Sequence, residues 1–207
     1  MNIPLSEFAF DFDGVVADTF RLFVRIANAD YNYDINYDDI TEYEFLKVID
    51  MEKQHALEII EVLTNDPHGI DLRPNKGAVE VLTRMAFHTP LLCVTARPFG
   101  DPIKMWFGKH LPRIEQSCLQ VEATGVNTGK LEILRKNNIK YFIDDRLDTC
   151  HLLQEAGITP IIYNQPWNRK PHPFKSVDDW EDVAALIDWD GTRIRTCPGK
   201  LSVIDNR

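Results

Sequence analysis

The stretch Phe8-Ala9-Phe10-Asp11-Phe12-Asp13-Gly14-Val15-Val16-Ala17-Asp18-Thr19 sets two carboxylates two residues apart, where an apolar run meets a glycine. A strand sends Asp11 and Asp13 to the same face at the end of its run. Gly14 adds a constraint, because a residue without Cβ takes positive φ and lets its backbone N–H approach a bound anion. The same letters could open a calcium loop, which needs a Glu at its twelfth position and a helix on either side. Counted from Asp11, that position is Leu22 and the approach is a strand, so the calcium loop is set aside.

Downstream of this turn the pattern changes. Apolar residues recur with helical spacing at Phe20, Phe23, Val24 and Ala27, and again at Ala56, Ile59, Ile60 and Leu63. Residues 31–50 between them, rich in Tyr and Asp, read as a loop with a short helix, and Asn65-Asp66-Pro67-His68-Gly69 closes the block with strong breakers. From Pro74 onward helices and strands alternate, as in a parallel sheet covered on both faces. Strands are expected at 91–95, 118–121, 141–143 and 161–163, and helices near 78–85, 102–111, from Lys130, over 147–156 and around Trp180 to Ile187. The expected organisation is an α/β core of residues 1–15 and 74–207, with a helical insertion at 16–73. Ligands of such sheets bind at the carboxyl ends of the strands, so this insertion is expected to overhang the site as a lid and specificity cap.

With 207 residues, 44% of them hydrophobic, the chain can bury a substantial core. No apolar run approaches the roughly 20 residues that span a bilayer, and no secretory leader pattern opens the chain, so cytoplasmic residence without membrane contact is expected. A formal charge of -9 argues against a nucleic-acid polymer as partner, but not against a small anionic substrate held locally. Cys93, Cys118, Cys150 and Cys197 are widely spaced and read as reduced thiols, and the six histidines are scattered. Any metal is therefore expected to have oxygen ligands.

Three later loops follow strand ends, and each offers a group that phosphoryl transfer requires. In Val94-Thr95-Ala96-Arg97-Pro98, the Thr95 hydroxyl and the next N–H, that of Ala96, are placed to bind phosphate oxygens. Lys130 supplies a point charge, and Asp144-Asp145 ends an apolar strand with acidic groups suited to magnesium. A phosphate dianion near Asp11 meets like charges costing roughly 4 kcal/mol per pair at 4 Å and an effective dielectric of 20. Cations are needed to offset that repulsion.

The ordered set Asp11-x-Asp13-Gly14-Val15, Thr95, Lys130 and Asp144-Asp145 resembles the four motifs of the haloacid dehalogenase superfamily, over the whole chain. The resemblance implies a Rossmann-like parallel sheet with a small cap inserted after the first motif. It also implies a phosphatase in which Asp11 forms an aspartyl phosphate and Asp13 acts as acid and then base. Gly14, Thr95, Ala96 and Lys130 would contact the phosphate. Mg2+ would be held by Asp11, the carbonyl of Asp13, and Asp144 with Asp145 beside it. A narrower likeness, in Phe142-Ile143-Asp144-Asp145-Arg146-Leu147-Asp148-Thr149 and Tyr163-Asn164-Gln165-Pro166-Trp167-Asn168-Arg169, is to the 5′-nucleotidase and deoxyribonucleotidase branch. That branch implies nucleoside monophosphates as substrates, although its better-known members carry a small residue where Arg97 stands. A sugar-phosphate phosphatase, a phosphotransferase or a non-catalytic binding protein would share the fold.

Arg97 and Arg146 read equally well as surface ion-pair residues or as substrate contacts. Phe20, Phe23, Tyr43 and Phe45 read as core rather than as a platform for a base. A second acidic pair, Asp188-Trp189-Asp190-Gly191-Thr192, follows a helix instead of a strand and reads as a helix stop, with a loose tail from Arg193.

Overall fold

The computed structural model describes residues 1–190. The tail from Arg193, and Gly191 and Thr192 after the second acidic pair, lie outside them. Six strands form one all-parallel sheet: β1 (Phe8–Phe10), β2 (Leu91–Thr95), β3 (Leu119–Ala123), β4 (Tyr141–Asp144), β5 (Thr159–Tyr163) and β6 (Lys175–Val177), in the order β3-β2-β1-β4-β5-β6. The expected α/β sheet is therefore present. Its edge strand β6 has no counterpart among the expected strands, since three residues with one buried side chain carry no readable period.

β1 is central, pairing Phe10 with Cys93 on one side and with Ile143 on the other. Covered on both faces, it is apolar at every position. Alternation divides its side chains between two layers. Phe8 and Phe10 join α3 (Ala78–Ala86), α4 (Asp101–His110) and α7 (Trp180–Leu186) in one cluster, with Phe10 edge-on to Trp180 at 5.6 Å. Ala9 turns to the opposite face, covered by α5 (Lys130–Lys136) and α6 (Leu147–Glu155) through Leu134 and Leu153.

Between β1 and α3 the chain makes an excursion containing α1 (Thr19–Asp30), α2 (Lys53–Asn65) and two short 3-10 turns. The outgoing and returning strands of this excursion run side by side, with Asp18 N–H donating to Arg73 O at 2.9 Å and Asn75 N–H to Val16 O at 2.7 Å. Leu22, Phe23, Ile59 and Leu63 of the insertion share one apolar cluster with Phe10, Phe12 and Val15 of the core. The expected reading of four free thiols fails at Cys118, which is disulfide-bonded, while Cys93 and Cys150 are free and buried. Among the described residues no helix is long and apolar enough to cross a membrane.

Candidate active site

Sheet order places the four chemistry-bearing segments on adjacent strands. Asp11 follows β1, Thr95 ends β2, Lys130 opens α5 beyond β3, and Asp144 ends β4. All four segments thus meet at one carboxyl edge, as expected from their order.

Asp11 is nearly inaccessible. Its Oδ1 accepts from the Phe12 N–H at 2.7 Å, and its Oδ2 lies 2.8 Å from Lys130 Nζ. Burial pushes its pKa up to about 7, with Lys130 pulling it down and Asp144 adding to the rise. Lys130 is fully buried and also donates to Asp144 Oδ2 at 2.7 Å. Burial alone would lower the lysine's pKa, but the charges of Asp11 and Asp144 more than offset that and raise it. One ammonium therefore bridges two strand-end carboxylates.

The two motif-four acids have different surroundings. Asp144 has both oxygens engaged, Oδ2 by Lys130 and Oδ1 by the Arg146 N–H at 2.8 Å. Asp145 has a buried Oδ2 with no partner. Its backbone carbonyl is fixed by Trp167 Nε1 at 3.1 Å and Asn168 Nδ2 at 2.8 Å. Burial, then Asp144 and Asp11, push its pKa well above the carboxylate range. Ligand atoms of Asp11, Asp144 and Asp145 lie within 4.8 Å of one another. An orphaned, desolvated oxygen among three acids is what a hard divalent cation would satisfy, so the residues fit magnesium. The free oxygen belongs to Asp145, whereas the resemblance favours Asp144.

Gly14 has φ 70°, and a Cβ there would stand 2.2 Å from Asp145 Oδ2 and 3.3 Å from the Trp167 ring. Its N–H donates to Ala17 O at 2.9 Å. The N–H expected to meet phosphate is thus engaged within the turn, and the glycine is needed to let Asp145 approach. Thr95 is buried, and its Oγ1 accepts from the Arg97 N–H at 3.2 Å, which leaves its hydroxyl proton to point elsewhere. Ala96 between them is half-buried.

Asp13 is gripped by groups that no sequence pattern joins to it. Arg97 donates through Nε to Oδ2 at 2.8 Å and through Nη2 to Oδ1 at 2.7 Å, and the Thr19 hydroxyl adds a third bond to Oδ1 at 2.6 Å. Burial would raise this carboxyl's pKa, yet the charge and hydrogen bonds of Arg97, helped by Thr19, hold it below its usual range. Both side-chain oxygens of Asp13 are thus held by hydrogen bonds, and the resemblance assigns a metal to its backbone carbonyl instead.

Above the acids lies an aromatic wall. Arg146 stacks its guanidinium 3.9 Å from the Tyr43 ring centroid; Phe20 packs on Trp167 at 4.3 Å and on Tyr43 at 5.7 Å. Burial, and then the charges of Asp145 and Asp13, raise the Tyr43 pKa. Phe20, Tyr43 and Phe45 are half-buried and pack against the core cluster to which Phe23 belongs. Tyr43 comes from a bend and Trp167 from the three-residue 3-10 turn Pro166–Asn168, both too short for a period to mark a shared surface.

The model of one protein family, described as "5' nucleotidase, deoxy (Pyrimidine), cytosolic type C protein", matches residues 6–194. A nucleotidase of Clostridium acetobutylicum is 23% identical over 180 residues, covering 86% of this chain and 91% of its own. Among solved structures, a HAD-superfamily hydrolase from Ehrlichia chaffeensis aligns with a TM-score of 0.54 at 18% identity, over 89% of this chain and 96% of its own. YfnB from Bacillus subtilis, solved bound to magnesium, aligns with a TM-score of 0.56 at 14% identity, over 86% and 96%. Both share the fold.

Proposed function

The chain belongs to the cytosolic type C 5′-nucleotidase family of phosphomonoester hydrolases, and on that premise we propose that it is a magnesium-dependent 5′-nucleotidase acting on (deoxy)nucleoside monophosphates. The observation that carries the mechanism is the Lys130 ammonium shared by Asp11 and Asp144, with the unpartnered Asp145 oxygen alongside.

Asp11 is the nucleophile. Its carboxylate oxygen attacks phosphorus, the P–O bond to the nucleoside 5′-oxygen breaks, and Asp13, held anionic by Arg97 and Thr19 until it takes the proton of the incoming monoanionic ester, gives that proton to the leaving oxygen. In the second half Asp13 takes a proton from water, the hydroxide attacks phosphorus, and phosphate leaves with Asp11 restored. Asp11 has to be anionic to attack, and Lys130 favours that form against burial. Asp11, Asp145 and the Asp13 carbonyl would hold magnesium, with Asp144 beside them; the ion supplies positive charge that offsets repulsion between the phosphate and the acids. Thr95 and Ala96 hold phosphate oxygens, and the insertion at 16–73 caps the site and sets substrate preference from a cytoplasmic pool.

Released phosphate, measured with and without magnesium over nucleoside monophosphates, sugar phosphates and phosphorylated acids, tests this reading. Turnover is expected only with the metal and best with nucleoside monophosphates. Equal rates across the panel would remove the nucleotidase assignment, and no turnover of any ester would remove the catalytic one.

A further inference from the structure

The grip on Asp13 has a second end. Helix α2 of the insertion finishes at Asn65, and the carbonyl of Leu63 would ordinarily accept from the N–H four residues on. That residue is Pro67, which has none. Arg97 Nη1 takes its place, donating to Leu63 O at 2.6 Å and reaching Thr64 O at 3.4 Å. The same guanidinium thus holds both oxygens of a core carboxylate and an orphan carbonyl of the insertion. Arg97 is only 7% exposed, lies 5.1 Å from the Phe12 ring centroid, and has its own backbone pinned by Thr95 Oγ1 and by the Gly125 N–H at 3.1 Å. A surface ion pair would show none of this enclosure.

We infer that Arg97 is a positioning residue that aligns the carboxylate of Asp13 while it ends helix α2, so that seating of the insertion and placement of the acid/base group form one contact. This rests on Asp13 being the acid/base group. A guanidinium suits the role because its planar fork serves a carboxylate with two N–H groups and still has donors left; a lysine ammonium cannot span all three acceptors. Released from the insertion, the fork can swing, and Asp13 loses its alignment with the leaving oxygen.

The test compares kcat/KM for two esters, since this constant reports the step that expels the leaving group. A nucleoside monophosphate leaves as a basic alkoxide that needs a proton, whereas p-nitrophenyl phosphate leaves as a phenolate that hardly does. Asp13→Asn should lose roughly 10²-fold or more on the nucleotide and far less on the aryl ester. Arg97→Met should show the same discrimination, about 10- to 100-fold on the nucleotide, together with faster amide hydrogen exchange at residues 64–66. Arg97→Lys should fall between it and the parent, and it carries the comparison if Arg97→Met does not fold. Equal losses on both esters for Asp13→Asn would overturn the acid/base reading. If Asp13→Asn discriminates and the Arg97 variants do not, or if exchange at the end of α2 is unchanged, the inference alone fails.

Discussion

The floor of the site and its roof are built in different ways. The floor consists of strand ends: Asp11, Thr95 and Asp144 are the last or next residue of adjacent parallel strands, and Lys130 opens the helix that follows β3. Backbone hydrogen bonding fixes these positions, so the groups are buried, close and rigid before any ligand arrives. The roof is made by Phe20, Tyr43 and Phe45 of the insertion with Trp167 and Arg146 of the core, side chains from turns and helix starts held by ring contacts of 3.9 to 6.2 Å. Substitutions below should therefore reduce the rate of the chemical step, and substitutions above should change which ester binds.

The largest break in that contrast is expected at Lys130. Replacing it with Met leaves Asp11 and Asp144 as neighbouring buried acids without their shared cation. Removing one partner from such a pair destabilises by about 3–5 kcal/mol, and one acid would take up a proton, which would blunt Asp11 as the proposed nucleophile. The expectation is a fall in kcat of about 10³-fold or more, with a lowered Tm and a retained circular-dichroism spectrum. Near-parent turnover by Lys130→Met would mean that the floor does not depend on this charge.

How far each region can be read from sequence follows from the same division. Strand ends are announced by apolar runs such as Leu91-Leu92-Cys93-Val94 and Tyr141-Phe142-Ile143, so the order of residues alone places Asp11, Thr95 and Asp144 at one edge of a sheet. Which acid has a free oxygen is not legible there, because that depends on the Arg146 N–H reaching Asp144 and on Trp167 and Asn168 fixing Asp145. Gly14 signals its positive φ by its residue type, but its steric role depends on the position of Asp145, 131 residues away in sequence, and no local pattern encodes that. Arg97 and Tyr43 are ambiguous for the same reason: a loop residue has no period, and its partner is fixed only when the chain has folded.

A second prediction separates the metal from the protein beneath it. Asp11 has its pKa raised to about 7 and Asp145 well above the carboxylate range, against about 3.9 for an unfolded aspartate. Between those limits the folded chain holds more protons than the unfolded one. The metal-free protein should therefore lose stability as pH rises from about 5 through 7. Magnesium competes with those protons, so its stabilising effect should be greater at pH 8 than at pH 5.5. Tm measured at both values, with and without the ion, checks this, and about 2–4 °C per kcal/mol is expected for a domain of this size. Asp145→Asn should shrink the magnesium shift at both pH values; an equal shift in the parent at pH 5.5 and 8 would count against proton competition at these acids.

The smallest effect, and the one that most sharpens the contrast, is expected at Tyr43. Its ring is the platform for the Arg146 guanidinium and touches Phe20 and Trp167, so truncation to Ala opens the wall without touching the hydrogen bonds of Asp11, Lys130 or Asp144. If the wall holds the nucleoside, KM for a nucleoside monophosphate should rise about three- to tenfold, the value of one good ring contact, with kcat changed much less. Ribose 5-phosphate has no base to lose contact, so its KM should hardly move. Tyr43→Phe keeps the ring and removes only the hydroxyl; it should resemble the parent in KM for the nucleotide. A matching rise in KM for both esters in Tyr43→Ala would place the tyrosine's effect on the phosphate, and the roof would then belong to the same functional unit as the floor.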